Sequence, residues 1–312
     1  MNALSPDQIL RLAAPDVTCD LDLLDDELLK LLDVAAEVKR SPKRYAQALS
    51  GRSIALLFEK PSLRTKMTFE LAIKQLGGNS VAADGPIGAR EPLRDVARNL
   101  DRWVNAIVAR VFLQSTVEEL ARWSNAPVIN ALSDLYHPCQ ALADIFTLTE
   151  VFGNVRGRKV AFVGDGNNVA HSLMLTCTRM GVNFALATPQ GYAASPAILA
   201  RAQSAALVTG ARLEVTDDPV AAVANADAVY TDVWASMGQE TEAEARRAAF
   251  APYQVNEALF AKARPDAIFF HCLPAKRSQE VTDAVIESPR SRVFDQAENR
   301  LHTQKALLLM LL

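Results

Sequence analysis

No two of the four cysteines, Cys19, Cys139, Cys177 and Cys272, form a CxxC pair. Neither a zinc-ribbon spacing nor a disulfide framework is therefore indicated, and no metal site is expected. Runs of apolar residues long enough to span a membrane are missing too. The stretch "KALLLMLL" near the C-terminus is short and reads as the core-facing end of a helix. The opening "MNALSPDQILRLAAPD" lacks the cationic and long apolar regions of a signal peptide. There is no repeat at solenoid period and no low-complexity tract. An excess of basic charge is also lacking, with 33 Lys and Arg against 36 Asp and Glu and a net charge of −3. That argues against a general polyanion binder, so each arginine cluster needs a local purpose. The expectation is a soluble cytoplasmic protein with neither nucleic-acid nor membrane partners.

What is present is globular. The 312 residues are 50% hydrophobic and 22% charged, long for one core and comfortable for two domains. Leu24, Leu28, Leu31, Leu32 and Ala35 fall on one side of a helical pattern over residues 21–39. "SIALLF" (53–58) reads as a buried strand. A helix follows it, with Phe69, Ala72, Ile73 and Leu76 as its core stripe and Gly77-Gly78 as its end. "AIVARVF" (106–112) and "PVIN" (127–130) read as strands, residues 116–123 and 137–152 as helices. The series restarts at "RKVAFVGD" (158–165) and runs through "NFALAT", "ARLEVT", "DAVYTDVW" and "AIFFHC". Alternation of this kind predicts an α/β protein of two doubly wound domains, each a parallel sheet flanked by helices, joined by bridging helices. The expected domains are 1–136 and 137–296, with the last helix (297–312) packing back on the first.

Ligands of doubly wound sheets bind at the carboxyl ends of strands, and several polar clusters fall there. In "FEKPSLRTK", Ser62, Arg64, Thr65 and Lys66 stand between a strand and a helix start, whose N–H groups favour an anion. The alternative is a solvated basic turn. The spacing is not that of a P-loop. Arg110 lies in an apolar run, where burial demands either a carboxylate partner or a pocket. In "YHPCQALAD", His137 and Gln140 share the first turn of a helix, as site residues or as a cap and a surface glutamine. "FVGDGNNVAHS" superficially resembles a dinucleotide fingerprint, but Val169 stands at the third glycine position. Asn167 and Asn168 either cap the helix or offer an amide to a carboxylate, and His171 reads as packing. In "TDVWASMGQE", Asp232 either holds an ammonium or fixes its own loop. In "FFHCLPAKR", Cys272 ends a strand, Leu273-Pro274 implies an extended exit, and His271 reads as packing.

Together and in order, "FEKPSLRTK", "HPCQALAD", "GDGNN", "TDVWASMGQE", "HCLPA" and "FDQAENRLHTQKALL" resemble the aspartate/ornithine carbamoyltransferase family over almost the whole chain. The SMG and HCLP segments match its ornithine branch. The resemblance implies a reaction of carbamoyl phosphate with L-ornithine to give L-citrulline and phosphate, in arginine metabolism and without a cofactor. It implies that Ser62, Leu63, Arg64 and Thr65 hold the phosphate. Arg110, His137 and Gln140 would contact the carbamoyl end, with Arg300 closing over it. Asn168, Asp232, Ser236 and Met237 would bind the amino-acid part of ornithine. Cys272 and Leu273 would lie by the attacking amine and also contact carbamoyl phosphate, and Arg64, Arg110, His137 and Cys272 would be the catalytic group. It also implies a homotrimer or a multiple of trimers.

Four positions depart from the pattern. Lys66 stands where Arg is usual and lacks the planar fork. In "DGPIGAREP", Pro86 replaces a usual Gln and Ala89 a common Arg, in a loop that the family extends to a neighbouring subunit. Lys276 replaces a usual His. These leave room for a carbamoyltransferase acting on putrescine or an acylated ornithine, or for a non-catalytic binding paralogue. A nicotinamide-dependent dehydrogenase rests only on "GDGNN".

Overall fold

The computed structural model describes residues 9–235 and 240–312. The chain divides into two compact units, one ending at Phe146 and regaining Glu298–Leu312, the other Thr147–Ala297. It leaves the first unit inside one helix and returns inside another. Among the described residues no helix is long and apolar enough to cross a membrane.

In the first unit, α1 (Asp25–Arg40) precedes β1 (Ser53–Phe58), α2 (Leu63–Gln75) and β2 (Asn79–Asp84). Then come α3 (Leu93–Trp103), β3 (Ala106–Arg110), α4 (Gln114–Trp123), β4 (Val128–Leu132) and α5 (Pro138–Phe152). All pairings are parallel, in the order β2-β1-β3-β4. The direction of winding reverses between β1 and β3, which makes their carboxyl ends a switch point. A register shift between Ala109 and Arg110 interrupts the β3–β4 ladder where Arg110 leaves it.

Apolar spacing explains most of these elements. Phe69, Ala72, Ile73 and Leu76 are all buried, each large side chain contributing roughly 1.5–3 kcal/mol by leaving water. The stripe on α1 is corrected at one position. Leu28, Leu31, Leu32 and Ala35 are buried, but Leu24 is the N-cap and stays 53% exposed. Helix α2 ends where expected. Gly77 has φ 86, and a Cβ there would meet the Ala46 carbonyl at 2.5 Å. In this unit two elements, β2 and α3, are absent from the sequence reading. Every residue of β2 is exposed, so "NSVAAD" shows no apolar alternation to find.

In the second unit, β5 (Lys159–Val163), α6 (Asn168–Arg179), β6 (Asn183–Ala187), α7 (Pro196–Thr209) and β7 (Leu213–Thr216) come first. They are followed by α8 (Pro219–Val223), β8 (Ala228–Thr231), α9 (Ala243–Phe250) and α10 (Glu257–Phe260). Next are β9 (Ile268–His271), α11 (Asp283–Ile286) and α12 (Val293–Leu311), the last running into the first unit. The parallel order is β7-β6-β5-β8-β9, with the reversal between β5 and β8. Its core joins Val163, Val229, Phe250, Phe260 and Phe269.

Candidate active site

In the first unit the polar clusters gather at the carboxyl ends of β1, β3 and β4. Ser62 is the N-cap of α2, and its Oγ accepts from the Thr65 N–H at 3.3 Å. Leu63, Arg64 and Thr65 thus form the first turn, with their N–H groups at the positive end of the helix. Leu63 is 70% exposed, so only its backbone suits an anion. Arg64 is half-buried and Thr65 buried. Lys66 turns aside, its Nζ 2.6 Å from Asp84 Oδ2. Arg110 is buried at the end of β3, and His137 and Gln140 are buried at the start of α5. Gln140 is therefore not the surface residue that one reading allowed.

Arg300, from α12, ties this cluster together. Its Nη1 donates to Gln140 Oε1 at 2.7 Å and its Nη2 to Thr65 Oγ1 at 3.1 Å. Gln140 Nε2 in turn donates to Asp144 Oδ1 at 2.7 Å. The guanidinium is 3% exposed, held by a planar fork that lysine would lack. Burial, and then the charges of Arg300 and Arg110, push His137 well below the usual imidazole range. His137 is consequently neutral at pH 7, able to donate through one ring nitrogen. The neighbouring Cys139 thiol is pushed up to about 12 by burial and is an inert apolar group.

The loop 85–92 bears the departures. Pro86 and Ala89 are both exposed. The loop is anchored by the Ile87 N–H, which donates to Glu59 Oε1 at 3.1 Å.

In the second unit, "GDGNN" joins β5 to α6. Asn167 caps α6, its Oδ1 accepting from the Val169 and Ala170 N–H groups at 3.0 and 3.1 Å. Its Nδ2 donates to Asp232 Oδ2 at 2.9 Å. Gly166 is required by packing, since a Cβ would meet the Ala194 nitrogen at 2.2 Å. That close approach gives this glycine a reason unrelated to a dinucleotide. Asn168 opens α6 and is half-buried. Asp165 is turned to Arg246, whose Nη1 lies 2.7 Å from its Oδ2. His171 packs as expected, with Nε2 accepting from the Ser195 N–H at 2.9 Å.

Asp232 follows β8 and is 6% exposed. Its Oδ1 accepts from the Cys272 thiol at 3.0 Å and from the Val233 N–H at 2.8 Å. Every one of these partners is neutral, and among the described residues no cation pairs with this carboxylate. A buried carboxylate in that state is a socket for a cation. Ser236 and Met237 lie outside the described residues. Leu273 departs from the expected extended exit. Its φ is 58, in the left-handed region that costs a non-glycine residue roughly 1–2 kcal/mol.

Sequence spacing gives no metal motif, yet folding brings ligand atoms of Asp232, His271 and Cys272 within 4.8 Å of one another. The ring does not complete a site. His271 Nδ1 accepts from the Leu273 N–H at 2.8 Å, and Nε2 faces Glu280 Oε1 at 3.2 Å. Glu280 is the residue that sequence reasoning passed over here, while His271 reads from the sequence as packing alone. Asn167 was visible as a cap, but nothing in the spacing of His271 and Glu280 signals their contact.

The family description "Aspartate/ornithine carbamoyltransferase, carbamoyl-P binding domain" matches residues 16–150. The description "Aspartate/ornithine carbamoyltransferase, Asp/Orn binding domain" matches residues 156–311. The chain belongs to the aspartate/ornithine carbamoyltransferase family. Among its relatives in this family is the ornithine carbamoyltransferase of Thermococcus kodakarensis, 50% identical over 97% of this chain and 98% of that protein. The anabolic ornithine carbamoyltransferase of Pyrococcus furiosus is 48% identical over the same shares. A solved structure of the ornithine carbamoyltransferase from Pyrococcus furiosus matches with a TM-score of 0.93 at 47% identity, over 97% of this chain and 98% of that one. The two carbamoyltransferase family segments correspond to the two sheets described above.

Proposed function

We propose that this chain is an ornithine carbamoyltransferase, moving the carbamoyl group of carbamoyl phosphate to the side-chain amine of L-ornithine and releasing L-citrulline and phosphate. The observation that carries the choice of ornithine is Asp232. A buried carboxylate with only neutral partners suits an ammonium group and repels a second carboxylate. Aspartate, the other amino acid of the family description, brings that second carboxylate.

Arg64, the Ser62–Thr65 turn and its backbone N–H groups hold the phosphate. Thr65, Arg110 and His137 face the carbamoyl oxygen, where negative charge grows during attack. Thr65 accepts from Arg300, which leaves its hydroxyl hydrogen to donate. Gln140 and Arg300 orient the carbamoyl end. Asp232 and Asn168 hold the ammonium and carboxylate of ornithine, with Ser236 and Met237 contributing by resemblance alone. Cys272 and Leu273 lie by the amine.

The amine attacks the carbamoyl carbon, the C–O bond to phosphate breaks, and one amine proton passes to the departing phosphate. The nucleophile must be neutral. A lysine-like amine with a pKa near ~10.4 costs roughly 4–5 kcal/mol to deprotonate at pH 7. Desolvation and nearby cations lower that cost. This polar substitution balances without a cofactor.

Three finer points belong to the same reading. The direction is citrulline synthesis, as the name of the anabolic relative suggests, and the site of action is the cytoplasm. The working form is a trimer or a multiple of trimers. Its support is a stripe on α2, where Leu63, Met67 and Leu71 are exposed beside the wholly exposed edge strand β2.

Product analysis with carbamoyl phosphate and three amines tests the reading. Citrulline from ornithine should form much faster than products from putrescine or N-acetylornithine. Good turnover of putrescine with none of ornithine would overturn it. Binding of carbamoyl phosphate with no turnover of any amine would favour a non-catalytic paralogue.

A further inference from the structure

His271 and Glu280 are wholly buried in the second unit, at 0% exposure each, and the proposed reaction uses neither. The imidazole stands between two groups. On one side Nδ1 accepts from the Leu273 N–H at 2.8 Å. An accepting Nδ1 carries no proton, so the ring hydrogen sits on Nε2. On the other side Nε2 faces Glu280 Oε1 at 3.2 Å, and that oxygen also accepts from the Lys276 N–H. The His271 N–H donates to Gln296 Oε1 at 2.9 Å, which fixes the residue from which the ring projects.

Two unfavourable features meet at this ring. Leu273 holds a left-handed φ of 58, and a fully buried carboxylate needs donors. One imidazole offsets both, through opposite edges. A ring that merely filled space would do neither. The residue between His271 and Leu273 is Cys272, whose thiol donates to Asp232 at 3.0 Å.

We propose that His271 is a positioning residue, backed by Glu280, that clamps the Leu273 N–H and thereby aims Cys272 and Leu273 at the reacting substrates. This rests on the functional reading above, because ornithine supplies the kinetic readout. The clamp acts on the turn after β9, where the amine of ornithine would meet the carbamoyl group. In this role the ring accepts at Nδ1 and donates at Nε2, and it transfers no proton.

Two substitutions separate the clamp from simple packing. His271→Leu keeps the bulk and removes the acceptor. His271→Asn places an amide oxygen near the position of Nδ1 and keeps it. His271→Leu should raise the KM for ornithine by about tenfold, the effect of losing a hydrogen bond to a buried group. His271→Asn should recover most of the loss. Equal effects of the two variants would overturn the proposal. Nitrogen-15 spectra of the imidazoles in the wild-type protein give a readout independent of activity and of variant folding. The His271 signal should be that of a neutral ring protonated at Nε2; protonation at Nδ1 overturns the clamp. A wild-type chain that forms no citrulline would sink the functional reading, and the spectrum would still decide the clamp.

Discussion

Cys272 sits where a nucleophile could be imagined, yet its thiol donates to Asp232 at 3.0 Å. That contact makes it a positioning group. Cys272→Ala should lower kcat/KM for ornithine by about tenfold, the effect of one lost hydrogen bond. A covalent nucleophile would cost orders of magnitude more. Steady-state rates over a range of ornithine concentrations distinguish the two. His137 gives a second prediction, through pH. Burial and two guanidiniums depress its folded-state pKa below the unfolded value of about 6.5. Below that value the unfolded chain takes up a proton that the folded chain refuses, so stability falls as pH drops from 7 toward 5. His302, shifted down chiefly by burial, adds to the same trend. In urea titrations across this window, His137→Gln should lose less stability on acidification than the wild type. An equal or steeper loss would contradict the assigned neutral state.

At the scale of elements, Arg300 shows how a helix distant in sequence serves the first sheet. Its two nitrogens reach α5 and the first turn of α2. Lysine lacks the planar pair of nitrogens that engages both acceptors. Arg300→Lys should raise the KM for carbamoyl phosphate by about tenfold or more and leave the KM for ornithine nearly unchanged. Matched changes in both would argue for general loosening. The α2 stripe makes a separate prediction. Leu71 is 40% exposed in the described chain. If three copies cover this face, Leu71→Glu places a charge in an apolar contact and should yield a smaller species by sedimentation velocity. Unchanged mass would move the subunit contact elsewhere. Most of the elements were legible because buried parallel strands are continuous apolar runs, as in "SIALLF" and "AIFFHC". Strand β2 was not, because an exposed edge strand has no burial to write a pattern.

For the molecule as a whole, the ordered motifs sufficed to identify the family. The spacing of Ser62, Arg64 and Thr65 made the helix-start cradle visible, since capping is a local rule. The role of Arg300 as a tie between Thr65 and Gln140 was not visible, because it joins residues 160 and more positions apart. Nor was the neutral company of Asp232, assembled from Asn167, Val233 and Cys272. That company underlies the choice of substrate, since a buried carboxylate with only neutral partners favours a cationic ligand. The most direct measurement is the ornithine saturation curve of Asp232→Asn beside that of the wild type. The KM for ornithine should rise by about a hundredfold or more, as expected for breaking a buried ion pair, while the KM for carbamoyl phosphate moves by less than about twofold. An ornithine curve unchanged by the substitution would contradict Asp232 as the ammonium socket.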